Sequence, residues 1–224
     1  MLTDIVIMRD GPVQYEMYNE HLRMTNHSVP LSIMQAEWDY LHNVVSTNNL
    51  KRGFELATAF GISGMAIGTG FKKTGGLLVT MDAYVEEHYN NAGTYETFER
   101  QVYDESDGYK SVKYLIEKFD VKDNVVAEIG WSPNDVDSIL KKNFGDKKLD
   151  FAFLDAGHFE HQMIKDIEEI SKHLDNKFVF VLHDIYPWSC TQNVHDFIMK
   201  TFNKKVEIVV PHPRGENMGV IINL

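Results

Sequence analysis

Cysteine is nearly absent from this chain of 224 residues. The single cysteine, Cys190, excludes a disulfide within the chain and a zinc site built from cysteines. Long apolar runs are also lacking, since the longest, such as FVFVL at 178–182, fall far short of the roughly 18 residues that a membrane-spanning helix needs. The opening segment MLTDIVIMRDGP carries charge inside its apolar stretch and so does not resemble a signal peptide. We therefore expect a soluble, cytoplasmic protein without a membrane partner.

Basic residues are outnumbered as well, with 22 lysines and arginines against 33 acids and a net charge of −11. Such a charge argues against a broad phosphate-binding surface, and hence against nucleic acid as a partner. Internal repeats and low-complexity segments are lacking too, and the chain length suits one large core. We expect a single domain over residues 1–224.

Short apolar runs alternate with segments of helical periodicity along most of the chain. The runs lie at 53–57, 77–80, 125–129, 151–154, 178–182, 206–210 and 219–223. The last two are joined by PHPRGENM, which is too short for a crossover helix and so predicts an antiparallel hairpin. The pattern predicts an α/β fold: a three-layer sandwich with a doubly wound, mostly parallel seven-stranded sheet and a C-terminal antiparallel hairpin.

Two helix starts are predicted in more detail. Ser132, Pro133 and Asp135 have the spacing of a capping box with proline at the first helical position, so a helix should begin there. The next helix, which comes after the apolar run at 151–154, should bury an apolar stripe that begins at Phe159, and His161 should lie on the surface of this helix.

Acids and histidines stand where four of the first five strands should end. They are Glu55, Asp82, Asp155 with His158, and His183 with Asp184. Any one acid there could simply end a strand or cap a helix. In open parallel sheets, however, ligands bind beyond the carboxyl ends of the strands, so the whole set predicts a site.

The motifs at these strand ends resemble those of class I S-adenosylmethionine-dependent methyltransferases, in the form found in small-molecule O-methyltransferases. FELATAFGIS is similar to their first motif, E-x-G-T-x-x-G-x-S, and LLVTMD to the second, where an acid ends the strand. FAFLDAGH and FVFVLHDIY are similar to the fourth and fifth strand regions. The resemblance covers about residues 31–224 and implies a Rossmann-like methyltransferase fold, S-adenosylmethionine as the cofactor and a small-molecule acceptor.

The first strand is followed by the small residues Ala57, Ala59 and Gly61, which let the backbone approach a ligand closely. By resemblance, the methionine end of the cofactor lies at this loop, Glu55 faces its ammonium directly or through water, and Asp82 binds the ribose. Trp131 and Ser132 would flank the adenine, although Trp131 could equally be a core aromatic. Ala57 stands where the first motif of the family has its first glycine. The predicted cofactor-binding residues are Glu55, Ala57, Gly61, Ser63, Asp82, Trp131, Ser132 and Asp155.

Methyl transfer to a hydroxyl requires removal of the hydroxyl proton, by a base or with the help of a divalent cation. His158 is the candidate base, and Asp155 would lie nearest the reacting methyl group. A Mg²⁺ or another divalent cation would be held by Asp155, Asp184 and His183. The resemblance departs here from the cation-dependent members, because Ile185 stands where they have asparagine and His158 where they have lysine.

Other interpretations remain open. A divalent-metal hydrolase site could be formed by Asp155, His158, His161, His183 and Asp184. The chain could also be a catalytically idle relative that only binds a ligand. Residues 1–50 are expected to form an N-terminal helical cap. The insertion at 83–110 is expected to cover the acceptor site, with a homodimer contact as its alternative use.

Overall fold

A computed structural model of the chain describes residues 33–59, 61–83, 108–157, 159–185, 190–211 and 217–224. The predicted N-terminal cap is therefore described from residue 33 onward, and most of the 83–110 insertion lies outside the described residues. None of the helices within these ranges has both the length and the apolar character needed to cross a membrane.

Seven strands form one sheet in the order β3-β2-β1-β4-β5-β7-β6. Their bounds are β1 Arg52–Leu56, β2 Leu77–Asp82, β3 Val125–Ile129, β4 Leu149–Leu154, β5 Leu174–Ile185, β6 Glu207–Val210 and β7 Asn217–Asn223. The first five strands pair in parallel, whereas β7 runs antiparallel between β5 and β6. The predicted sheet and its C-terminal hairpin are confirmed.

Six described helices cover the two faces of this sheet. They are α1 Gln35–Thr47, α2 Ile62–Thr74, α3 Gly108–Lys118, α4 Val136–Phe144, α5 Glu160–Ser171 and α6 Gln192–Phe202. Apolar side chains of α1, α2 and α3 pack on one face of the sheet, and those of α4, α5 and α6 on the other. Because alternate residues of a strand point to opposite faces, Phe153 joins the first core and Leu154 the second. The three-layer sandwich is confirmed.

Helix α1 lies directly against α2. A Cβ atom added at Gly70 would be 2.9 Å from the carbonyl oxygen of His42 and 2.9 Å from Cβ of Val45. Trp38 and Leu41 of α1 are fully buried in the same layer. This packing holds the start of α1 in a fixed place relative to the sheet.

Both detailed helix predictions were wrong at the helix start. Helix α4 begins at Val136 rather than at the Ser132 capping box, because the hydroxyl of Ser132 bonds to Asp166 and Asp135 accepts a hydrogen bond from the Trp131 amide at 2.8 Å. Phe159 is not part of a buried stripe: it precedes α5 and is 72% exposed. His161 is exposed, as expected.

Candidate functional site

The candidate site lies where the direction of the sheet order reverses, between β1 and β4. Leu56 and Leu154 are register partners at the carboxyl ends of these strands, and the amide of Asp155 donates to the carbonyl of Leu56 at 3.2 Å. The connections that follow β1 and β4 lead to helices on opposite faces of the sheet. They therefore diverge and leave a crevice, which is where such folds bind ligands.

The loop after β1 has an unusual backbone. Ala57, Ala59 and Gly61 have φ values of 73°, 45° and 87°, all in the left-handed region. The amide of Ala57 donates to the Met81 carbonyl at 2.9 Å, and the amide of Ala59 donates to Oδ2 of Asp82 at 2.9 Å. The acid that ends β2 thus fastens the loop that follows β1.

The left-handed conformation of Ala57 predicts that Ala57→Gly stabilises the protein. An alanine in this region costs roughly 1–2 kcal/mol, while glycine loses roughly 0.5–1 kcal/mol more conformational entropy on folding. We expect the free energy of unfolding to rise by up to about 1 kcal/mol, measured by urea denaturation. Ala66→Gly in α2 is the matched control, where glycine should lower stability by about 1 kcal/mol or more. A loss of stability in Ala57→Gly would contradict the strain assigned to this loop.

Glu55 lies one residue before the end of β1, beneath the first turn of α2. Its side chain is fully buried, and Oε2 lies only 2.8 Å from where a Cβ at Gly64 would be. Burial raises the pKa of Glu55 to about 8, with Asp155 and Asp82 adding to the rise, while the nearby hydroxyls of Ser63 and Thr80 offset it only in part. Neither oxygen accepts a hydrogen bond of good geometry from a described residue. A cation bound above the loop after β1 would favour the ionised form of Glu55.

Asp155 and Asp184 meet around the imidazole of His183. Its Nδ1 lies 3.1 Å from Oδ1 of Asp155 and 3.3 Å from Oδ1 of Asp184, and its Nε2 lies 3.0 Å from Oε1 of Glu37. His183 and Asp184 were expected to follow β5, but the strand continues to Ile185. Its pairing with β7 is irregular between Leu182 and Ile185, and Asp184 has a φ of 52°. Consecutive residues of a regular strand point to opposite faces of the sheet. Because the pleat is broken here, the side chains of His183 and Asp184 can lie close together.

The three carboxylates decide the charge of His183. Burial by itself lowers its pKa, but Asp155, Asp184 and Glu37 outweigh the burial and hold the pKa well above its ordinary value. Although Nδ1 is buried near two carboxylates, it makes a hydrogen bond of good geometry with neither. One ligand atom from each of Asp155, His183 and Asp184 lies within 4.8 Å of the others. This donor set of one nitrogen and carboxylate oxygens fits a divalent cation.

The loop after β3 carries the residues predicted to flank adenine. Trp131 is 46% exposed, so the alternative that it is a core aromatic is wrong. Ser132 donates its hydroxyl to Oδ1 of Asp166, which also accepts from Gln162 at 2.9 Å. Asp166 is fully buried on α5, and burial raises its pKa. The loop is thereby tied to the helix layer beneath it.

The structure thus brings together most of the residues singled out in the sequence. Glu55, Ala57, Gly61, Ser63, Asp82, Asp155, His183 and Asp184 lie at or beneath the crevice. His158, the predicted base, lies outside the described residues.

Glu37 and Asp166 were missed, although both carry a recognisable signal. Each is an acid inside the apolar stripe of its helix, Glu37 between Met34 and Trp38 and Asp166 beside Ile167. A carboxyl group that is buried on a helix needs a hydrogen-bonding or charged partner. Such buried pairs are often part of a functional site.

Comparison with known proteins gives a matching family model and several solved structures of similar fold. The model of a family described as a methyltransferase domain matches residues 54–185. The chain is similar to the O-methyltransferase from Bacillus cereus in complex with SAH, with 14% identity, a TM-score of 0.65 and coverage of 97% of this chain and 93% of that one.

Two further solved structures are similar. The O-methyltransferase TomG from Streptomyces achromogenes, in complex with SAM, has 14% identity, a TM-score of 0.66 and coverage of 96% of this chain and 91% of its own. The SAH-bound methyltransferase PaMTH1 from Podospora anserina has 15% identity, a TM-score of 0.63 and coverage of 96% and 89%. At these identities the likeness concerns the fold.

Proposed function

Because the chain belongs to the methyltransferase-domain family whose model matches residues 54–185, we propose that it transfers a methyl group from S-adenosylmethionine to a hydroxyl of a small molecule. The observation that carries this proposal is the loop after β1, with its left-handed backbone and its amide fastened to Asp82, beside an acidic cluster at the switch point of the sheet. The structurally similar proteins described with SAH or SAM bound add support.

The charge of the crevice suits this cofactor. S-adenosylmethionine carries a positive sulfonium and an ammonium group, and the crevice presents the carboxyl groups of Asp82 and Asp155, with that of Glu55 buried beneath its loop. We assign the methionine end to the loop at Ala57–Ser63 with its ammonium toward Glu55, the ribose to Asp82, and the adenine to the exposed face of Trp131 beside Ser132. Residues bearing negative charge would thus contact the cationic parts and the hydroxyl groups of the ligand.

Two devices could remove the proton of the acceptor hydroxyl. We propose His158 as the general base, because it stands three residues beyond Asp155 at the carboxyl end of β4. A divalent cation held by Asp155, His183 and Asp184 would lower the pKa of the hydroxyl when bound. With one imidazole among the ligands, the set suits Mn²⁺, Co²⁺ or Zn²⁺ as well as Mg²⁺.

Two segments that lie largely outside the described ranges complete the proposal. We propose that residues 1–50 and the insertion at 83–110 supply the walls that select the acceptor, within a single domain of 1–224. We also propose a cytoplasmic location and a homodimer, the latter to be tested by size measurement.

Ligand binding separates this function from its alternatives. We expect S-adenosylmethionine and S-adenosylhomocysteine to raise the melting temperature, since a ligand at 100 times its Kd adds about 2.7 kcal/mol to stability. Zinc and magnesium are tested separately. Stabilisation by zinc without any effect of the nucleosides would point instead to a metal hydrolase. Binding without a methylated product in extracts supplied with methyl-labelled cofactor would indicate an idle relative.

The base assignment predicts that His158→Ala lowers turnover about a hundredfold while the affinity for S-adenosylhomocysteine stays within about twofold. Turnover would be measured with the acceptor that the extract screen identifies, and affinity by isothermal titration. His161→Ala is the matched control, since His161 is exposed on α5 and stacks on Phe159 at a centroid distance of 6.0 Å. Loss of cofactor affinity in His158→Ala would contradict its assignment as a base.

A further inference from the structure

Glu37 is an acid at a position where an acid is costly. It lies in the first turn of α1, and only 1% of its surface is exposed. Both of its oxygens are engaged: Oε2 accepts a hydrogen bond from the Met34 amide at 2.6 Å, and Oε1 lies 3.0 Å from Nε2 of His183. A buried carboxylate is tolerated only with such partners.

Capping the helix does not account for this arrangement. A residue that caps a helix start can do so from the surface, and the bond to Met34 uses one oxygen. The other oxygen reaches a residue 146 positions away in the chain. Helix α1 is already held by the buried Trp38 and Leu41, so its packing does not require a charged contact with β5.

The ring of His183 is held on several sides. Phe153 packs edge to face against it, with ring centroids 6.2 Å apart and an interplanar angle of 72°. Glu37 holds Nε2, and Nδ1 lies near Asp155 and Asp184 without a well-formed hydrogen bond to either. A carboxylate behind one nitrogen of an imidazole fixes which nitrogen carries the proton and which is offered to a ligand.

We propose that Glu37 is a positioning residue: it holds the Nε2 proton of His183 so that Nδ1 is presented to the gap between Asp155 and Asp184. Helix α1 thereby contributes to a site otherwise built from the carboxyl edge of the sheet. The inference deepens the proposed function, on which it rests for the use of the cluster in methyl transfer.

Glu37→Gln tests the assignment because the Met34 amide orients the new side chain. The amide oxygen of glutamine must accept from Met34, which turns its NH₂ group toward Nε2 of His183. A donor there requires Nε2 to accept, so Nε2 loses its proton and the ring keeps a proton only at Nδ1, toward Asp155 and Asp184. The helix cap is kept, whereas Nε2 changes from a hydrogen-bond donor to an acceptor.

The protonation of Nε2 is read by long-range ¹H–¹⁵N NMR on metal-free protein labelled at histidine, with the His183 signals assigned by their absence in His183→Asn. We expect a protonated Nε2 in the wild type and an unprotonated Nε2 in Glu37→Gln. We also expect Mn²⁺ affinity, measured by titration calorimetry, to fall roughly 10–100-fold. Glu37→Asp, which keeps an acceptor toward Nε2, should keep Nε2 protonated.

A protonated Nε2 in Glu37→Gln, with Mn²⁺ affinity within twofold of the wild type, would overturn the proposal. A loss of stability while Nε2 stays protonated would also overturn it, since that is the result of a purely structural cap. Asp39→Asn removes the same charge from α1 at a partly exposed position and should leave both readouts unchanged. If the wild type binds neither Mn²⁺ nor S-adenosylhomocysteine, the proposed function fails while the protonation of Nε2 still decides the role of Glu37.

Discussion

Glu55→Gln should make the protein more stable at alkaline pH, by an amount that grows from near zero at pH 4.5 to several kcal/mol at pH 8.5. Burial raises the pKa of Glu55 to about 8, from an ordinary value of 4.5. Between these values the folded state keeps a proton that the unfolded state has lost, so wild-type stability falls as the pH rises. At about 1.4 kcal/mol per pH unit, the full change is on the order of 5 kcal/mol. Glutamine has nearly the same shape and does not titrate.

The measurement is urea denaturation of the ligand-free protein at several pH values from 4.5 to 8.5, with the variant compared with the wild type at each pH. Glu117→Gln makes the same substitution on an exposed position of α3 and should show no such trend. A constant difference between Glu55→Gln and the wild type across this range would refute the burial of a proton at Glu55.

The same variant should bind S-adenosylhomocysteine about tenfold more weakly, because the proposed ammonium contact loses a charge worth roughly 1.5–3 kcal/mol, which in the wild type is partly offset by the cost of ionising Glu55. Gain of stability with loss of binding is the pattern expected of a site residue that is held in an unfavourable environment. Unchanged affinity would remove Glu55 from the cofactor site without affecting its effect on stability.

Asp82→Ala should lower the affinity for S-adenosylhomocysteine by a factor of roughly 10²–10⁴, because two charge-assisted hydrogen bonds to the ribose are each worth roughly 1.5–3 kcal/mol. A second cause adds to the first. Oδ2 of Asp82 accepts the amide of Ala59, so its removal also releases the loop that would carry the methionine end. The loop then has to be ordered by the ligand, at a further entropic cost.

Titration calorimetry measures the loss, and Asp146→Ala provides the control, since Asp146 is exposed in the turn after α4. Asp82→Asn separates the two causes: its amide oxygen can still accept from Ala59, while the charge toward the ribose is lost. We expect its affinity to lie between those of the wild type and Asp82→Ala. Wild-type affinity in Asp82→Ala would contradict the placement of the ribose at β2.

Much of this architecture follows from local patterns in the chain. Runs of apolar residues predicted the positions of all seven strands, and the short PHPRGENM connection predicted the antiparallel pairing of β6 with β7. The errors occurred at boundaries. Ser132 and Asp135 have the side chains of a helix cap, yet both are engaged elsewhere, and a local pattern does not reveal such competing partners.

The sequence by itself determined the order of the elements, most of the apolar residues that they bury, and the acids that stand near the strand ends, because these depend on patterns within one segment. Only the tertiary structure decided that Glu37 of α1 meets His183 of β5, and that Glu55 lies buried under Gly64. Such meetings depend on which helix packs over which strand and on a single irregularity in the pleat at Asp184. These contacts form only when segments that are distant in the sequence bury their side chains against each other. A pattern within one segment therefore does not predict them.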